Sequence, residues 1–365
     1  MVPTTTVAPR WQVPARSVLA RRMPLTITLV AAVFAIVWVL FWGWKTNYGP
    51  AIDDPTDFLY TTLDSITFAG LLFIVASGFT LIFGLMRAVN MAHGSFYLMG
   101  GYIAYDVEQK LAGTGGGFGL TSSQVSWWQW VVPAIVASAA MAGIGLVMQQ
   151  GFLRWTQGQD IRQALITIAV SLILADQMIA HWGGLEQNIA FPNFVGTDKF
   201  IVIGGISYAW SRIFILLVAI GIGVLLWGWL HRTRIGMVIR AGVDDRQMVS
   251  ALGVNVQLVF ALAFIVGAAL AGFGGAMGGS FAGLAPEVDG QWLLNALVVV
   301  IIGGMGSLGG AAVGAILYAF VSDFSAAYLP TSSGNCCTEY SVIFTFGLLA
   351  FVLALRPLGL FGRPA

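Results

Sequence analysis

FLYTTLDSITFAGLLFIVASGFTLIFGL, residues 58–85, is a mostly apolar run longer than the ~20 residues an α-helix needs to cross the hydrocarbon of a bilayer. Outward from it, apolar runs recur at 25–44, 95–105, 128–153, 164–182, 210–230, 256–277, 292–302, 309–328 and 340–355, divided by charged or Gly/Pro-rich breaks. Composition agrees: 58% of residues are hydrophobic, 9% are charged and the mean hydropathy is +0.85, whereas about a quarter of a soluble domain is charged. The expected fold class is all-α, one polytopic membrane domain over 24–365 with about ten transmembrane or re-entrant helices.

The run 25–44 follows Arg10, Arg16, Arg21 and Arg22, as the apolar core of a signal peptide would. It is longer than such a core and no small-residue cleavage site follows its Trp-rich end, so it reads as an uncleaved first span behind a cytoplasmic extension over 1–23. With those arginines inside, thirteen Lys and Arg lie on the cytoplasmic side and four on the other, Lys45, Lys110, Lys199 and Arg212, accounting for all 17. That asymmetry follows the positive-inside rule and places both termini in the cytoplasm.

Absences narrow the chemistry. A net charge of +1 with no basic tract gives no grip on nucleic acid. Neither Lys45, Lys110 nor Lys199 follows a glycine, so the phosphate-binding loop of ATPases is missing, and no histidine precedes a glutamate. Gly278-Gly279-Ser280 and Gly304-Met305-Gly306-Ser307 miss the serine-hydrolase patterns. Adjacent Cys336 and Cys337 fit neither a disulfide scaffold nor a spaced zinc site. No enzyme, cofactor or metal is expected.

Four groups of residues carry what chemistry there is. The runs 95–105 and 292–302 are short for crossings and adjoin glycines, Gly100 and Gly101 in one and Gly303, Gly304, Gly306, Gly309 and Gly310 in the other. Discontinuous helices at membrane depth mark a translocation path, while small residues equally serve close helix packing. Asn90, His93 and Ser95 suit the inner mouth of such a path; Asn90 and Ser95 suit equally the satisfaction of loose backbone groups at helix ends. Asp176 and Gln177 lie towards the outer end of their helix, as a contact for an entering solute or as a headgroup anchor. Residues 236–252 read as one amphipathic helix with Val238, Ala241, Met248 and Leu252 on a face, too polar to span and built to dock on a protein or lie at the bilayer surface.

Residues 78–94, GFTLIFGLMRAVNMAHG, resemble the signature of LivH-type permeases, the membrane subunits of branched-chain amino acid ABC importers. Three further stretches are similar to that family in the same order: 234–254, with Arg240, Ala241, Asp244, Asp245, Leu252 and Gly253 in its coupling helix, then 303–310 and 356–362. The departures are the N-terminal extension and the external stretches 113–127 and 331–338. The resemblance implies an ABC-importer permease fold with an internal repeat, in a bacterial inner membrane. It implies three kinds of partner besides lipid: a second, LivM-like permease, two ABC ATPase subunits and a periplasmic or lipid-anchored solute-binding protein. The implied activity is import of branched-chain or other hydrophobic amino acids by alternating access. Relatives that move urea, short amides or aromatic carboxylates, and an autonomous secondary transporter or channel, are the alternatives.

Overall fold

The run 58–85 folds as α1 (Pro55–Met86), the longest helix of the computed structural model, which describes residues 55–86, 89–113, 125–196, 199–244, 246–328 and 338–362. A helix that is apolar all round must be covered all round, and α1 runs through the centre with 72% of its apolar window buried. Around it stand α2 (His93–Ala112), α3 (Trp127–Gly151), α4 (Asp160–Trp182), α5 (Trp210–Arg232), α8 (Val256–Phe281), α9 (Val288–Gly303), α10 (Leu308–Tyr328) and α11 (Thr338–Leu355). The short helices α6 (Arg234–Asp244) and α7 (Arg246–Ala251) lie between α5 and α8. Among the described residues six helices, α1, α3, α4, α5, α8 and α10, are long and apolar enough to span a bilayer. The all-α expectation is met; the run 25–44, the extension 1–23 and Cys336 and Cys337 lie outside the described residues.

Helix order and packing repeat. A long helix, a shorter one and two further helices follow one another in α1–α4 and again in α8–α11. The long helix of each half packs on the third helix of the other, α1 on α10 and α8 on α3. α1 and α8 cross where a Cβ on Gly78 would meet the Gly267 carbonyl oxygen at 2.6 Å, so only glycine permits this approach.

Local chemistry sets several boundaries. Asn255 starts α8, its Oδ1 accepting the N–H groups of Gln257 at 3.1 Å and Leu258 at 3.3 Å. Gln129 Oε1 accepts the Ser126 N–H at 2.8 Å where α3 begins. A two-stranded hairpin, β1 (Phe200–Ile203) and β2 (Ile206–Ala209), turns on Gly204 and Gly205, both at positive φ as a tight hairpin turn demands.

One sequence expectation changes. Gly100 and Gly101 break nothing: they lie inside continuous α2 and face α8, where Gly100 leaves no room for a Cβ against Gly272. The helix expected over 236–252 is helical on both sides of residue 245, over 234–244 and 246–251, and presses Ile239 and Val249 inward.

Candidate functional site at the start of two short helices

The chain leaves α1 at Met86 and turns back before α2 begins. His93 Nε2 lies 3.0 Å from the carbonyl oxygen of Val75, eleven residues before the end of α1, so α2 starts at a depth of about 16 Å from that end. Freed backbone at this depth needs internal partners. Asn90 supplies one, its Oδ1 accepting the Ala92 N–H at 3.1 Å, and Thr167 of α4 another, accepting the Met91 N–H at 3.2 Å. His93 is wholly buried, edge-on to Phe79 at 5.2 Å, and ties the start of α2 to α1.

α9 starts at the same place from the opposite side. The carbonyl of Asp289, in its first turn, lies so close to Gly94 that no Cβ fits there. Ser95 Oγ donates to Asp289 Oδ2 at 2.8 Å and lies 2.7 Å from Ser171 Oγ. With its single proton given to Asp289, Ser95 accepts from Ser171. Ser171 is the middle residue of α4, which places the three groups near mid-bilayer. Trp292 stacks on Tyr97 at 4.4 Å and so locks α9 to α2 beside them. The residue before α9, Glu287, is the one described non-glycine residue with positive φ, at 71°.

Nearer the α6–α7 face, Asn90 lines a narrow recess with Met86, Val89, Leu153, Gln163, Thr167 and Phe264. Asn90 Nδ2 and Gln163 Oε1 are buried there without a hydrogen-bond partner among the described residues. Asp176 and Gln177 belong to neither group: they are exposed on α4, about 8–9 Å beyond Ser171 along the helix axis.

α6 and α7 rest against the end of the bundle. Gly306, in the turn between α9 and α10, meets both Gly84 of α1 and Val243 of α6, while Gly242 faces Leu85. The C-terminal segment covers α9, with the N–H groups of Leu360 and Phe361 donating to the carbonyls of Ile302 at 2.9 Å and Gly303 at 3.0 Å. Val238 is half-buried, whereas Arg240, Ala241, Met248, Leu252 and Gly253 are exposed. The side chains of Asp244 and Asp245 lie outside the description.

At the opposite face Arg212 pairs with Asp64 and stands over the rings of Tyr60, Phe281 and Tyr208 at 5.4, 5.7 and 5.8 Å. Tyr208 shares a 2.9 Å hydrogen bond with Thr67. Burial pushes the Tyr208 phenol up to about 12, against the opposing pull of that bond. The cluster clamps α1, β2, α5 and α8 together.

Residues 61–353 match the branched-chain amino acid transport system permease component family. The chain belongs to this family. It is 27% identical over 319 residues to the high-affinity branched-chain amino acid transport system permease protein LivH of Salmonella typhimurium, covering 84% of this chain and 96% of that protein. Its identity to the corresponding permease protein BraD of Pseudomonas aeruginosa is 28% over 312 residues, with the same coverages. Similarity extends to LivM of Escherichia coli at 24% over 318 residues, 82% of this chain and 69% of that one. No solved structure matches significantly. The chain is a multi-pass transport subunit, not an enzyme.

Within this permease, Asp289, Ser171, Gln163 and Thr167 escaped the sequence reading. The apolar run counted from residue 292 stops short of Asp289; an acidic residue in a first helical turn is the signal that extends α9 back to it. Ser171 sits among apolar residues of α4, and only tertiary contact with Ser95 singles it out.

Proposed function

We propose that this permease forms the translocation path of an ATP-driven importer for branched-chain or other hydrophobic amino acids, by alternating access. The observation that carries the reading is the convergence of α2 and α9, two helices that start within the bundle, on Ser95 and Asp289 near mid-bilayer. Asn90 and the recess around it lie on the way from that point to the α6–α7 face, with His93 holding the start of α2 and Asp176 and Gln177 on the outer half of α4.

The charge asymmetry puts α6 and α7 in the cytoplasm. There the exposed Ala241, Met248 and Leu252, with Arg240, Asp244, Asp245 and Gly253, form the contact with an ATPase subunit, and Val238 and Ile239 anchor the element to the bundle. Its seat against Gly84 and Gly306 carries movement into α1 and α9. The complete importer comprises this subunit, a second permease of LivM type, two ATPases and an external solute-binding protein. With 11% of its apolar window buried, α4 presents the flank that the second permease or lipid covers.

Calorimetry of the cognate binding protein tests the substrate. Leucine, isoleucine and valine should bind; a protein that ignored them while holding urea, short amides or aromatic carboxylates would replace the amino-acid assignment.

A further inference from the structure

We propose that Asp289 receives the α-ammonium group of the amino acid halfway across the bilayer, an assignment that rests on the importer reading above. The site is small and specific: one carboxylate, fixed through Oδ2 by Ser95, whose own hydroxyl is fixed by Ser171. Ser95 is 1% exposed, whereas Asp289 is half-buried and continues outward into exposed Glu287, Gly290 and Gln291, so the carboxylate is reachable from the flank of the bundle.

The physical argument is the charge. A carboxylate near mid-bilayer is costly unless a cation meets it, and two serine hydroxyls supply hydrogen bonds but no charge. The described carboxylates that have cations lie elsewhere: Asp64 pairs with Arg212, and Asp106 with Lys110. Among the described residues Asp289 has none. A zwitterionic amino acid brings an ammonium group that neutralises Asp289 on arrival and leaves it free on departure. A resident lysine or arginine would occupy the carboxylate permanently. The same charge selects among solutes: urea and neutral amides gain only a hydrogen bond, and an aromatic carboxylate lacking an amine is repelled. The left-handed Glu287 immediately before α9 marks this helix start as a conformation maintained by its surroundings.

The test is leucine uptake into proteoliposomes holding the full importer, with ATP inside and loaded binding protein outside. Asp289→Asn should lower kcat/KM by roughly 10- to 100-fold, while subunit stoichiometry and binding-protein affinity for leucine stay at wild-type values. Asp289→Glu, which keeps the charge, should recover much of the loss, and Ser171→Ala, which loosens the carboxylate without removing it, should cost several-fold. Undiminished leucine uptake by Asp289→Asn would overturn the assignment and leave the importer reading standing. Dissociation of the second permease in Asp289→Asn would overturn it too, since the carboxylate would then serve subunit pairing. A wild-type assembly that moved only solutes lacking an ammonium group would overturn both the assignment and the amino-acid reading.

Discussion

Gly84 at the end of α1 and Gly306 between α9 and α10 are in backbone contact: a Cβ on Gly84 would lie 2.9 Å from the Gly306 Cα. Val243 of α6 closes the same junction, its Cγ1 2.9 Å from where a Gly306 Cβ would lie. Three stretches separate in sequence, 78–94, 234–254 and 303–310, therefore meet at one mechanical joint. Gly306 also has φ +80°, so Gly306→Val combines backbone strain with overpacking, each costing about 1–3 kcal/mol. The purified permease should melt several degrees lower in detergent, and the assembly should lose transport. Unchanged melting and uptake would remove the joint from the mechanism.

Ala241 stands on the exposed side of α6. With α6 docked on an ATPase subunit as proposed, Ala241→Glu would place an unpaired charge in that contact, a desolvation cost on the order of a few kcal/mol. Insertion and melting of the isolated permease should be unaffected, while co-purification of ATPase subunits and substrate-stimulated ATP hydrolysis fall together. Normal stoichiometry with undiminished coupled turnover would show that α6 is not the coupling element.

Arg212→Leu leaves the Asp64 carboxylate without its cation and removes the group between Tyr60, Tyr208 and Phe281. Both members of the pair are about a quarter to a third exposed, so the expected loss is about 1–3 kcal/mol rather than the larger value of a fully buried pair. The double change Arg212→Leu with Asp64→Asn should be less damaging than the single one, which thermal melts of all three proteins will show.

The Tyr208 phenol, raised by burial from its ordinary 10 to about 12, favours the folded state below pH 10 and loses that contribution as pH rises from 10 to 12. Tyr208→Phe, which cannot ionise, should therefore show less alkaline destabilisation across that interval. Parallel denaturation curves of the two proteins above pH 10 would contradict the assignment.

Orientation is tested by thiol labelling. In a protein with Cys336 and Cys337 replaced by Ser, a cysteine at exposed Leu185 should react with an impermeant reagent in intact cells, and one at exposed Leu252 only after the membrane is opened. The reverse pattern would invert the topology.

Much of this architecture was legible because length and hydropathy report directly on a membrane helix: the run 58–85 became α1, and 210–230 and 309–328 became α5 and α10 within a few residues. The hairpin was also written in the sequence, as Gly204-Gly205 between β-branched and aromatic residues, but its brevity beside long spans hid it. Gly100 and Gly101 misled because glycine serves both helix breaks and close helix contact, and only the position of Gly272 distinguishes them. The site itself was half legible. Ser95 stood out beside Asn90 and His93 at an interruption, whereas its partners Ser171 and Asp289 lie 76 and 194 residues away and no local pattern links them.

On the function proposed above, this permease moves an amino acid only when partner subunits consume ATP. The most direct measurement is initial uptake of labelled leucine into proteoliposomes containing the permease pair and both ATPases, with and without internal ATP and with and without binding protein. Uptake is expected only when both are present and should be abolished by Ala241→Glu. Leucine accumulation by the permease pair alone, driven by an ion gradient without ATP, would contradict it.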